Sequence, residues 1–352
     1  MKNRKLVVAM FAVGFGLPCA AMMAEPPAAV NPPPAQEAKP APAAQPAKPA
    51  KAEKTKLYDE AADGKAQIAA ALAKAKKENR RVLIQWGGNW CGWCIRLHEL
   101  TKSDPTLSKE LMYEYDVVHV DTGQPAGKNI DLAEKYGADV KKHGFPFLTI
   151  LDADGKPIAN QETESLEVKN AQGESAGIKE GHDPKKVLAF LKANEAKPLN
   201  AEAVVGDGLA RARETGKVVF LHFGAPWCVW CHRMEGWMAK PEIAAILDKN
   251  FVDVKIDIDR MTGGKGEMAK YCKTKNEGIP WFVFLSAEGA TVATSDGPKG
   301  NVGFPAEAGE IAHFAEMLTK ACPKMSEGDR KVLLDSLKPK EKTVGAAPAA
   351  GR

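Results

Sequence analysis

Dense basic clusters interleaved with aromatic residues are missing from this 352-residue sequence, which leaves nucleic-acid binding without support. Charge of either sign is nearly balanced, and the formal net charge of +4 comes largely from lysines near the two ends. Long apolar runs are scarce too. The stretch 6–24 has bilayer-spanning reach, but Gly14, Gly16 and Pro18 interrupt it, and it stands behind Lys2, Arg4 and Lys5. It reads as a secretory signal peptide over 1–24, cleaved after Ala21 or Ala24, with an uncleaved membrane anchor as the alternative. Pro18 directly before Cys19 fits a lipid-attachment box poorly. Export, to the periplasm or the cell envelope, is therefore expected. Residues 25–56 follow with nine prolines, many alanines and spaced lysines. Such a segment cannot bury a core and predicts an extended, semi-rigid spacer.

Cysteine is sparse at seven residues, and its placement is informative. Four of the seven form two C-x-x-C motifs 137 positions apart, Cys91-Gly92-Trp93-Cys94 and Cys228-Val229-Trp230-Cys231. Each follows an apolar run with strand character. Each has a tryptophan just before the first cysteine (Trp90, Trp227) and an arginine two places after the second (Arg96, Arg233). A strand feeding a loop, with C-x-x-C opening a helix, suits thiol–disulfide exchange. The unpaired N–H groups of a helix start favour thiolate over thiol, so Cys91 and Cys228 are the expected nucleophiles. Cys94 and Cys231, three residues on, are placed to resolve a mixed disulfide. Cys272 and Cys322 are left as either a structural disulfide or two buried small hydrophobes.

The surroundings repeat as well. The first repeat predicts helix 65–78, strand 81–86, helix 91–100, helix 107–113, strand 116–121, helix 130–136, strand 147–151 and strand 157–160. A polar loop and a helix opened by Asp183-Pro184 close it. The second predicts helix 201–214, strand 217–222, helix 228–238, helix 241–247, strand 251–257, helix 267–273, strands 281–285 and 291–293, and helix 306–320. Gly144-Phe145-Pro146 and Gly278-Ile279-Pro280 stand before matching strands, their prolines 55 and 52 positions beyond the first cysteine. A final amphipathic helix, 326–337, is expected to pack on the second repeat. The resulting expectation is α/β: signal peptide 1–24, linker 25–56, domains 57–196 and 197–323, and a C-terminal helix with a disordered tail over 324–352.

Each repeat resembles a thioredoxin-fold domain, through W-C-x-x-C at a strand-to-helix turn and the later Gly-x-Pro. The resemblance covers most of 57–322 and points to thioredoxin-like domains of exported bacterial thiol:disulfide interchange proteins. It implies a central mixed β-sheet flanked by helices in each of two tandem domains. It implies cis bonds at Pro146 and Pro280, with Phe145 and Ile279 presenting backbone to a bound substrate strand. Trp90, Trp93, Trp227 and Trp230 then form an apolar rim around the thiols, whereas Trp86 and Trp237 read as core. Many thioredoxins carry a buried aspartate six residues before the first cysteine. Here Gln85 and His222 occupy that place. Gln85 cannot titrate, so the first site must use water or another group. His222 is a candidate proton acceptor, against the blander reading of a satisfied core histidine.

The expected activity is thiol:disulfide exchange on protein cysteines, as reductase or isomerase, with no cofactor and no metal. A reductive role would draw electrons from a membrane partner. Neither dipeptide between the cysteines supplies a histidine or cation, which argues against a strong oxidant. One alternative is a polypeptide-binding, chaperone-like module with secondary redox activity. Cys228 to His232 also spells C-x-x-C-H, the c-type haem pattern, but Ile95 replaces the histidine in an otherwise matching repeat. A zinc site would have to join two pairs separated by 133 residues.

Overall fold

The computed structural model describes residues 56–124, 127–273 and 278–338. The expected signal peptide, nearly all of the expected spacer and the expected tail lie outside the described residues.

The first repeat runs α1 (Gly64–Glu78), β1 (Arg81–Gly87), α2 (Gly92–Ser103), α3 (Pro105–Glu114), β2 (Tyr115–Asp121), α4 (Ile130–Lys135), α5 (Val140–His143), β3 (Phe147–Leu151), β4 (Pro157–Glu162) and α6 (Pro184–Lys192). The second runs α7 (Ala201–Thr215), β5 (Val218–Gly224), α8 (Val229–Met238), α9 (Pro241–Asn250), β6 (Phe251–Asp257), α10 (Gly264–Tyr271), β7 (Trp281–Leu285), β8 (Thr291–Thr294), a small β9/β10 hairpin (Asp296–Gly297 and Gly300–Asn301) and α11 (Ala308–Ala321). Then comes α12 (Glu327–Leu337). The sheets have orders β2-β1-β3-β4 and β6-β5-β7-β8. In each, the central strand pairs parallel with the outer one and antiparallel with the hairpin.

The central strands are buried along almost their whole length, because helices cover both faces. Side chains alternate between those faces. Val82, Ile84 and Trp86 pack with Ile68 of α1, while Leu83 packs with Leu97, Leu107 and Leu191 of α2, α3 and α6. In the second sheet Val219, Leu221 and Phe223 pack with Val205 of α7, and Phe220 packs with Met234, Trp237 and Phe314. The same parity turns Gln85 towards the motif helix α2.

Local chemistry sets the breaks. Asp104 caps α3 through the amides of Thr106 and Leu107, with Pro105 in its first turn. Asp183 and Pro184 start α6 in the same way. The final helix α12 buries Leu333 and Leu337 in the cluster with Trp237, and the Trp237 indole donates to Ser336 Oγ at 2.7 Å.

Three details go beyond the sequence reading. The polar loop after β4 is an ordered strap: Glu164–Leu166 makes one 3-10 turn, and bridges join Glu167 to His182 and Lys169 to Ser175. The β9/β10 hairpin has too few residues for a readable period. Cys272 and Cys322 belong to clusters on opposite faces of the second sheet, and no disulfide joins them.

The two repeats meet at Arg260. Its guanidinium donates to both Glu114 carboxylate oxygens, at 3.0 and 2.7 Å, and to the carbonyls of Glu78 and Asn79 at 2.9 Å each. Those carbonyls lie at the C-terminal end of α1, where backbone acceptors lack helical partners and a cation is favourable.

Candidate active sites

Cys91 and Cys228 are the N-cap residues of α2 and α8. Each Sγ accepts the amide hydrogen of the cysteine three residues on, at 3.1 Å. Each pair is joined as a disulfide with Cα atoms 5.2 Å apart. A thiolate left at Cys91 or Cys228 on reduction would keep that amide and the positive end of the helix. Cys94 and Cys231 lie deeper, almost without solvent exposure.

The Gly-x-Pro loops face the motifs. Phe145–Pro146 and Ile279–Pro280 are cis peptide bonds. Cys228 Sγ lies 3.6 Å from the Ile279 carbonyl oxygen. Each loop is anchored from behind: Thr163 Oγ1 donates to Pro146 O at 2.7 Å, and Asn301 Nδ2 donates to Gly278 O and Pro280 O at 2.7 and 3.0 Å.

The tryptophans divide by burial. Trp86, Trp237 and Trp281 are core, whereas Trp90, Trp227 and Trp230 are 38%, 53% and 48% exposed. Trp90 sets its ring edge-on to Phe145, with centroids 5.6 Å apart. Trp93 is half-buried because the strap lies over it: His182 packs edge-on at 5.4 Å, and a Cβ on Gly92 would come within 2.9 Å of Ile178 Cδ1. The two matching arginines differ in use. Arg96 Nη2 donates to Lys179 O at 2.8 Å and pins the strap, while Arg233 stacks over the Trp230 ring at 4.4 Å. The first site is therefore roofed. The second is open, with a groove lined by Trp230, Ile279, Pro280 and Phe304.

The residues six positions before each first cysteine also diverge. Gln85 Nε2 donates to Cys94 O at 3.1 Å and to the Tyr58 hydroxyl at 2.7 Å. Tyr58 is fully buried and packs against Cys91 and Cys94. His119 sets its ring edge-on to Tyr58 and to His98, beside a cavity of about 160 Å³ that Gln85 also lines. Burial pushes His119 down to about 4. In the second site, His222 Nε2 is 2.9 Å from Asp253 Oδ1. Burial pushes Asp253 upward, but His222, Lys77 and Lys255 outweigh it and hold the carboxyl below its ordinary range. Among the described residues no hydrogen bond links His222 to Cys231.

Tyr58, His182 and Asp259 were not singled out from the sequence. Asp259 Oδ2 accepts from the Trp227 indole at 2.8 Å and from the Tyr113 hydroxyl at 3.1 Å, tying the second rim to the first repeat. No motif marks any of the three, since each reaches its site from a distant segment.

The haem pattern does not fit this geometry. The sulfurs of Cys228 and Cys231 are bonded to each other, and His232 Nε2 sits 2.8 Å from the Pro226 carbonyl oxygen. Among the described residues there is no group of three or more His, Cys, Asp or Glu placed to hold a metal, and no helix long and apolar enough to cross a membrane.

Comparison with known proteins matches residues 68–163 to a family described as thioredoxin-like domain and residues 200–287 to one described as thioredoxin-like. An uncharacterised protein of Caenorhabditis elegans is 34% identical over 107 residues, 28% of this chain. The disulfide bond reductase DsbH of Chlamydia pneumoniae is 28% identical over 99 residues, 26% of this chain. Those matches span 15% and 57% of the relatives' own lengths. Among solved structures, a disulphide isomerase from Xylella fastidiosa is 25% identical with a TM-score of 0.31, covering 39% of this chain and 95% of that one.

Proposed function

We propose, on the premise that this chain is a tandem thioredoxin-fold protein, that it is an exported thiol:disulfide oxidoreductase acting on protein cysteines. The observation that carries the reading is the doubled site: a C-x-x-C disulfide at a helix start, facing a cis-proline loop, in both domains. Cys91 or Cys228 attacks a substrate disulfide, forming a mixed disulfide and releasing one substrate thiolate. Cys94 or Cys231 then attacks the enzyme sulfur of that mixed disulfide. The second substrate thiolate leaves, and the enzyme pair ends oxidised. A fresh cycle needs two electrons from outside, and a membrane redox partner is the source this reading calls for.

Substrate enters as an extended strand along Phe145–Pro146 or Ile279–Pro280, with the exposed tryptophans covering its apolar side chains. The reductase named among the relatives supports the reductive direction. The roofed first site suits a narrower substrate, and the open second site a broader one. The domain limits 57–196 and 197–323 belong to the same proposal.

Replacing Cys94 and Cys231 by Ala tests this, because the resolving step is lost and mixed disulfides persist. Substrate proteins are expected to be captured at Cys91 and Cys228 and released by dithiothreitol. Absence of any captured thiol partner at both positions would contradict exchange.

A further inference from the structure

We infer that the Tyr58 hydroxyl is a positioning group for the first site: it donates a hydrogen bond to Cys94 Sγ when the disulfide opens and so stabilises the Cys94 thiolate. The inference rests on the reading of Cys94 as the resolving thiol.

The hydrogen-bond inventory leaves the phenol hydrogen available for this role. Gln85 Nε2 faces the carbonyl oxygen of Cys94, so that end of the amide must be the NH₂ group. Its two hydrogens go to Cys94 O and to the Tyr58 oxygen. The Tyr58 oxygen is thus an acceptor there, and its own hydrogen must point elsewhere. No described residue accepts it. A buried donor left without an acceptor is costly, and the site must offer one in some state of the cycle.

Cys94 Sγ is the neighbour at hand. A Cβ built on Gly87 would collide with Cys94 Sγ and would sit 2.8 Å from the Tyr58 hydroxyl oxygen, so sulfur and phenol share one small space above Gly87. In the disulfide that sulfur is a poor acceptor. As a thiolate it is a strong one, and hydrogen bonds to charged groups are the stronger kind. Burial holds the phenol well above its ordinary range, so it stays a donor and does not act as a base.

Among the described residues the other titratable groups around this space are few. His119 of β2 faces the Tyr58 ring, His98 of α2 faces His119, Asp121 closes β2 with one carboxylate oxygen unpartnered, and Cys91 completes the set. Among the described residues the second site has no counterpart to Tyr58. A Cβ on Gly224 would meet only Cys231 atoms, at 3.3 Å, and Asp253 engages His222.

The test uses the full chain with Cys228 and Cys231 changed to Ser, fully reduced and mixed with an aryl disulfide. Cys91 attacks first and one aryl thiolate leaves. The Cys94 thiolate then attacks Cys91 Sγ, the 91–94 bond forms, and the second aryl thiolate departs with the electron pair. The Cys94 proton has already passed to solvent. The pH profile of this second release reports the Cys94 pKa. Tyr58→Phe is expected to move it up by about one unit, giving about tenfold slower release on the acidic limb and an unchanged alkaline plateau. An unmoved profile, or equal slowing at every pH, overturns the inference. 3-Fluorotyrosine at position 58 keeps the shape, so it answers even where Tyr58→Phe fails to fold. Its more acidic hydroxyl is expected to move the profile the opposite way, and no downward shift overturns the inference. Absence of any second release with Tyr58 intact would instead overturn the resolving role of Cys94, and this inference with it.

Discussion

His182 belongs to the strap, has only 2% of its surface exposed and presses against Trp93, and neither ring nitrogen has a hydrogen-bond partner among the described residues. Burial alone pushes its pKa down to about 4. The unfolded chain, with an ordinary histidine near 6.5, binds that proton more readily in the interval between. Stability should therefore be intact above about pH 6.5 and fall as pH drops towards 4, by at most about 1.4 kcal/mol per pH unit for this one group. His182→Phe keeps a ring on Trp93 and should flatten that part of the curve, which denaturant midpoints across the interval would show. Nothing in the sequence marks His182, because its neighbours there are polar and without period. The motif cysteines were legible because a thiol pair at fixed spacing has few other uses. Tyr58 was not, since its contact with Cys94 is made by the fold. In the sequence Gln85 stands out only as a departure from the thioredoxin pattern, and its role depends on the partners that it bonds.

Elements were readable wherever a cap or a period announced them. Asp183-Pro184 announced the start of α6, and the buried central strands followed from short apolar runs. In the sequence the strap is a polar loop, because its order comes from isolated bridges and from Arg96 holding the Lys179 carbonyl, neither of which has a local signature. Arg96→Ala should loosen the strap and expose Cys91. A bulky maleimide is expected to modify reduced Cys91 several-fold faster in that variant, with the rate at Cys228 unchanged. At the other end, α12 is held to the second domain by Leu333 and Leu337. Leu333→Ala should cost about 2–5 kcal/mol, the usual range for a buried leucine that leaves a cavity. Hydrogen exchange should quicken in β5 and β7 and stay unchanged in β1 and β3, which share no core with α12.

In the whole molecule, two domains of one fold are joined by a contact that the sequence does not announce. Arg260 is mostly buried between Glu114 and the end of α1, and Asp259 beside it ties Trp227 to Tyr113. Arg260→Ala leaves Glu114 and two carbonyls without their donor and should cost about 3–5 kcal/mol. Calorimetry should then resolve two unfolding transitions in place of a coupled one. Repetition of the fold was legible because strand, motif and Gly-x-Pro recur in order. The divergence of the two sites was only partly so, because roof, rim and buried partners are supplied by segments outside the motifs. The central claim is that both C-x-x-C sites exchange disulfides with protein substrates. The most direct measurement is the reduction rate of a disulfide-bonded protein by dithiothreitol in the presence of four forms: the intact chain, the chain with Cys91 and Cys94 as Ser, the chain with Cys228 and Cys231 as Ser, and the chain with all four as Ser. Each two-serine form is expected to keep part of the acceleration, and the four-serine form to fall to the uncatalysed rate. Acceleration by the four-serine form equal to that of the intact chain would contradict the claim.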